Sequence, residues 1–218
     1  MKTIKLIFTV NVLLIGLGLL ILQGCAPVFS ELQSARTVGD NRVEFTPSIS
    51  TVDYTEDGER EGLQNHIGLQ AAYGITDKID IRARYERIWI KEEGIDEGVS
   101  VFGIGPKFSL LENKIALYIP IGRAFGDETE ETWQIHPTLL LTYPAVEDKL
   151  DITLSPKYLI TLCEGCEDLI AVNLGLSFGN DLKQWSIRPE YGILFNPGES
   201  GYFGQFSIGY STTFGGNK

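Results

Sequence analysis

Apolar and polar residues alternate one for one along most of this chain, and the alternation restarts in segment after segment. Val43, Phe45 and Ile49 are set against Arg42, Glu44, Thr46 and Ser48, and Leu63, Ile67, Leu69, Ala71 and Tyr73 against Gln64, His66, Gly68 and Gln70. Ile79, Ile81, Ala83 and Tyr85 oppose Asp80, Arg82, Arg84 and Glu86, while Leu150, Ile152, Leu154 and Tyr158 oppose Asp151, Thr153, Ser155 and Lys157. The same rows return over 115–121, 133–143, 170–178 and 206–214. A two-residue period sends successive side chains to opposite faces, so each segment reads as a strand with one apolar face. The pattern predicts ten strands, at about 42–53, 63–74, 78–90, 99–110, 114–124, 132–143, 149–161, 169–179, 184–195 and 203–214. Short connections (75–77, 111–113, 144–148, 180–183) alternate with longer ones (54–62, 91–98, 125–131, 162–168, 196–202), so the repeating unit is one hairpin.

Strand length and charge placement narrow the architecture. Segments this long exceed the usual strand of about 5–6 residues and match the roughly 9–11 needed for a tilted bilayer crossing. In lipid every backbone amide must be paired, so the sheet has to close. Within the strands, Arg42, Glu44, Asp80, Arg82, Arg84, Glu86, Lys107, Asp151, Lys157, Arg188 and Glu190 fall on the polar parity. The exceptions, Asp53, Arg87 and Arg123, lie near the long connections. A charge on the lipid face at the midplane would cost about 2–4 kcal/mol, and none is placed there. The five long connections sum to a charge of −14 and the four short ones to −4. Tyr54, Trp89 and Trp133 near the long connections, and Tyr73, Tyr143 and Trp185 near the short ones, suit two interfacial girdles. The fold class expected is therefore all-β: a closed antiparallel transmembrane β-barrel of about ten strands in an up-and-down meander. The rival is a lipid-anchored soluble barrel, lipocalin-like, with its apolar face turned inward.

The first residues are different. Lys2 and Lys5 precede an apolar run from Leu6 to Leu22, the plan of a secretory signal, so residues 1–24 are set aside from the fold. The tetrapeptide Leu22-Gln23-Gly24-Cys25 resembles the lipobox of bacterial lipoproteins. That resemblance implies cleavage before Cys25 and acylation of its thiol, with palmitate-type chains holding the protein on a bilayer. Residues 25–40 then form a polar lead, expected on the periplasmic side, and 41–218 the barrel. Without Lys2 and Lys5 the net charge falls from −11 to −13, which excludes nucleic acid as a natural partner.

Residues 42–214, through the closing strand "GQFSIGYSTTF", resemble the small outer-membrane β-barrels of Gram-negative bacteria. The resemblance implies an outer-membrane location, with the N-terminus periplasmic and lipid-anchored and the long loops extracellular. It implies outer-membrane lipid, lipopolysaccharide and the insertion machinery as partners, together with a surface ligand that the sequence does not identify. A ten-strand barrel is narrow and largely filled by side chains. The lumen set expected to fill it is Arg42, Glu44, Arg82, Arg84, Glu86, Arg188 and Glu190, as an ion-pair network. On this reading the role is structural or surface-interacting. A narrow pore for small solutes or ions is the alternative, and an outer-membrane barrel enzyme a further one. His66 and His136 share the inward parity, yet no motif of the omptin-type proteases or of the barrel lipid A deacylases accompanies them, so no catalytic residue is assigned. "CEGC" places Cys163 and Cys166 in a long connection. In an oxidising compartment they read first as a disulfide. A redox pair lacks a surrounding βαβ pattern, and zinc would need ligands beyond Glu164, Glu167 and Asp168, so neither metal nor cofactor is expected.

Overall fold

The computed structural model describes residues 28–91, 98–126, 132–163 and 166–216. Ten strands follow one another: β1 (Arg42–Glu56), β2 (Glu59–Thr76), β3 (Ile79–Ile90) and β4 (Gly98–Leu111). β5 runs in two segments, Ile115–Tyr118 and Ile121–Phe125, as does β6, Trp133–Ile135 and Thr138–Val146. β7 (Leu150–Thr161), β8 (Leu169–Phe178), β9 (Trp185–Phe195) and β10 (Tyr202–Gly215) complete the series. Each strand pairs antiparallel with the next. β10 then returns to β1 in a seam running from Arg42 opposite Gly215 to Thr55 opposite Tyr202. The sheet is therefore closed and has no edge strand to protect.

Prolines sit in both interruptions, Pro120 in β5 and Pro137 in β6, although Pro47, Pro106, Pro156 and Pro189 lie within unbroken strands. Pro120 and Pro137 carry no amide hydrogen and cannot donate to a ladder. Neighbouring residues bridge both gaps: the Ile119 amide donates to the Pro106 carbonyl at 3.0 Å, His136 to Pro120 at 3.0 Å, and Tyr158 to Pro137 at 3.1 Å.

The connections differ from the sequence expectation at one place. Residues 54–62 are not a long loop. β1 and β2 continue as a hairpin to a two-residue turn at Asp57-Gly58, with φ of 50° and 85°. Positive φ at both positions is what a type I′ hairpin turn requires, and Asp-Gly is a preferred pair for it. The acidic composition of 54–62 had suggested a loop, but its charges lie on a protruding ribbon.

Burial separates the two faces as the parity demands. On β1, Phe45 and Ile49 are 40% and 62% exposed, whereas Glu44, Ser48 and Ser50 are buried. The apolar rows of the other strands likewise face out, Leu69, Leu154, Leu174 and Phe206 among them. Asp80, Lys107, Asp151 and Lys157 face in and are buried. A lipocalin-like barrel needs the opposite arrangement, so that rival is set aside.

The polar lead is not outside the barrel. Residues 28–38 run through the lumen as an extended strap, and Val28 through Ala35 are all buried. Val28 packs with Ile88, Val99 and Ala124, and Phe29 with Val52, Leu159, Ala171 and Leu194, all near the long-connection ends of their strands. Ala35 meets Ala116, Tyr118 and Leu140 deeper in. At the short-turn rim the Thr37 hydroxyl donates to the Asp77 carbonyl at 2.7 Å, and the Asn41 amide to Gly74 at 3.0 Å. Gly74 is required there, because a Cβ would lie 1.8 Å from the Gly39 carbonyl oxygen. The chain thus descends the lumen, turns at 39–41, and climbs back as β1. The strap lacks any two-residue period, having no sheet face to match, and so its sequence looks like a loop. Residues 25–27 lie outside the described residues.

Candidate functional site: a strap-filled lumen

Side chains of the barrel wall satisfy much of the strap's extended backbone. Gln205 Oε1 accepts from the Phe29 and Ser30 amides at 3.2 and 3.1 Å. Glu190 accepts from Glu31 through Oε1 at 2.5 Å and from Leu32 through Oε2 at 2.9 Å. Thr142 Oγ1 accepts from Ala35 at 2.8 Å, and Asp80 from Val38 at 3.1 Å. The carbonyls are met in the same way. Phe29 O accepts from Asn173 at 2.7 Å and Lys157 at 3.1 Å, and Glu31 O from Gln70 at 3.1 Å. Leu32 O accepts from Arg188 at 3.0 Å, and Lys107 Nζ donates to Ser34 O at 2.9 Å and Arg36 O at 2.5 Å. Arg84 donates to the Ser30 carbonyl and, at 2.6 Å, to its hydroxyl. The strap is bound largely through its backbone.

Its two charged side chains also find partners. Glu31 pairs with Lys157 at 2.5 Å, and Arg36 reaches Asp151 at 2.6 Å and Asp148 at 2.8 Å. Asp148 lies in the turn between β6 and β7. A hydrogen bond from Lys183 at 2.9 Å, helped by Arg36, holds its carboxyl below the usual aspartate range.

The residues expected to form one network divide into several groups. Glu44 binds both Arg82 and Arg188, the latter at 2.7 Å. Arg84 donates to Glu86 at 2.7 Å, and Glu86 also contacts His66 Nδ1 at 3.1 Å. Glu190 departs from the expectation: its recorded partners are two strap amides rather than an arginine. Arg42 also departs from it, because it sits at the short-turn rim and donates to the Lys183 carbonyl. Glu31, Arg36, Asp80, Lys107, Asp151 and Lys157 join the lumen beyond the expected set. The last four carried the signal of inward parity, while Glu31 and Arg36 carried none. His66 and His136 are each held by a glutamine two residues before them, at 3.0 Å. What space remains beside the strap includes a cavity of about 40 Å³ lined by Val28, Glu31, Arg84, Tyr118, His136 and Lys157. That is room for a few waters.

At the opposite end of the barrel from the short turns, Cys163 and Cys166 form a disulfide with Cα atoms 5.6 Å apart. Asp168 accepts from the Tyr158 hydroxyl at 3.0 Å and the Thr161 amide at 3.2 Å, and Glu167 accepts from Asn196. Glu164 and most of the two connections 91–98 and 125–131 lie outside the described residues, as do the signal segment and Cys25.

No family model matches the chain, and no curated protein does. Among solved structures it is similar to Ail, the attachment invasion locus protein of Yersinia pestis: 14% identity, 80% of this chain and 99% of that one, TM-score 0.38. Neisserial surface protein A is similar at 12% identity, 80% and 100% coverage and TM-score 0.37. An outer membrane channel from Pseudomonas putida F1 reaches 10% identity, 86% and 100% coverage and TM-score 0.45. Identities this low do not carry an activity from one protein to another.

Proposed function

We propose that this chain is an outer-membrane β-barrel lipoprotein with a closed lumen, acting through its acidic outward loops in a structural or surface-interaction role. The observation that carries this reading is the strap: residues 28–38 occupy the lumen and are bonded to the wall at most of their length. The apolar outer face supports a bilayer as the surrounding medium, since Ile49, Ile67 and Leu174 lie exposed on it. Cys25 is the proposed acylation site, on the strength of its lipobox resemblance alone. Lipopolysaccharide, outer-membrane lipid and the insertion machinery are the partners this location entails. The long connections are taken as extracellular, and the role as non-catalytic. Planar-bilayer recording on the purified full chain tests the closed lumen. The expected result is a silent bilayer, and stable stepwise conductance would establish the narrow-pore alternative instead.

A further inference from the structure

The direction of the strap has a consequence for the anchor. Val28, the first described residue, is buried at the long-connection end, against Ile88 at the top of β3, Val99 at the start of β4 and Ala124 at the end of β5. From there the chain descends past Glu31, Ser34 and Arg36, whose partners lie progressively nearer the short turns, and reaches that rim at Thr37 and Val38. Val28 is only three residue steps from Cys25. Fully extended, three residues span at most about 11 Å. The apolar band of such a barrel is about 25 Å tall. A residue tethered to Val28 can clear the rim beside β3–β5 but cannot return to the leaflet at the short-turn end.

We infer that the mature N-terminus emerges on the long-connection face, so that acyl chains on Cys25 insert into the leaflet on that side. With the long connections outside the cell, this is the outer, lipopolysaccharide-bearing leaflet, not the periplasmic one that the sequence suggested. The lipid part rests on the reading of Cys25 as acylated; the threading does not. It makes the chain a lipoprotein whose anchor lies on the long-connection side, joined to the rest of the protein through its own barrel.

The test uses single epitope insertions in the full chain, probed by antibody on intact and permeabilised cells. One tag follows Cys25; a second sits in the Asp57-Gly58 turn, and a third in the Glu112-Asn113 turn. The tag after Cys25 should label under the same condition as the Asp57-Gly58 tag. Labelling together with the Glu112-Asn113 tag would overturn the inference. Because an insertion could unseat the strap, Val28→Cys and Val99→Cys are also combined in a Cys163→Ser, Cys166→Ser background. Mild oxidation should join them in most of the barrel, seen as a reducible mobility shift, and no shift would overturn the threading. Intact mass of the N-terminal peptide separates the two readings. A peptide without acyl groups removes the anchor even where the tags place the N-terminus on the long-connection side.

Discussion

At the scale of single residues, the lumen makes its demands through groups that have given up water. Glu190 accepts two strap amides, so Glu190→Ala leaves both without an acceptor in a buried site. Each unmet group costs about 1–3 kcal/mol. Urea unfolding in micelles should therefore show the variant less stable by roughly 2–6 kcal/mol. Glu190→Gln should fall between it and the parent, since one carboxamide oxygen can still accept while the amino group faces the other amide. Phe29 is fully buried against four strands, and Phe29→Ala should cost about 3–5 kcal/mol by the same assay. Asp148 offers a different kind of test, at the water-facing rim. Its folded pKa is depressed by Lys183 and Arg36, so its contribution is present above the ordinary aspartate value and is lost as pH falls through the folded value. Asp148 is about a third exposed and Lys183 more than half, which keeps the effect small. Thermal midpoints of the parent and Asp148→Asn should differ slightly and constantly from pH 7 to pH 5. They should converge at lower pH; a gap that persists in strong acid would show that the pair acts through packing and not charge.

At the scale of elements, the disulfide and the strap respond to quite different perturbations. Cys163–Cys166 closes a loop of very few residues, and the chain-entropy contribution of so short a ring is small. Cys163→Ser with Cys166→Ser should leave the melting behaviour unchanged while the β7–β8 connection becomes easier to cleave by protease added to whole cells. A large drop in stability would mean that the bond fixes strand register and not only the connection. The strands were legible in the sequence because a sheet with unlike faces imposes a period of two, and charged residues such as Arg82, Asp151 and Lys157 keep to it. The breaks at Pro120 and Pro137 were less so, since proline is tolerated wherever a neighbouring carbonyl can be met from another residue. The β1–β2 ribbon is hidden in the sequence by its acidic residues, which give 54–62 the composition of a loop. The strap was not legible at all. Ser30, Gln33 and Ser34 are ordinary loop residues, and what makes them interior is a set of wall side chains contributed by strands far along the chain, among them Gln70, Lys107, Asn173 and Gln205.

At the scale of the whole molecule, the strap is what separates a closed barrel from a charged tube. Removing residues 28–38 would strip Lys107 and Lys157 of strap carbonyls and Glu190 of its two amides, leaving ionised groups that draw in water. A deletion of 26–38 that still inserts should therefore conduct where the parent is silent, and planar-bilayer recording of both proteins checks it. Silence in both would mean that the wall side chains close the lumen without help. The same arrangement dictates an order of assembly. β1 follows the strap within a few residues and forms the final seam with β10, the last strand made. The ring is thus completed by the very segment that carries its axle. A strap laid against β1 before the seam zips is enclosed without threading, whereas one left outside would have to be fed lengthwise through a finished ring lined with charges. Once enclosed, it is held as an axle is held in a closed ring, and it leaves only by sliding out end first or by reopening the β1–β10 seam. Refolding sampled by brief protease pulses should show the strap becoming resistant together with that seam, not after it.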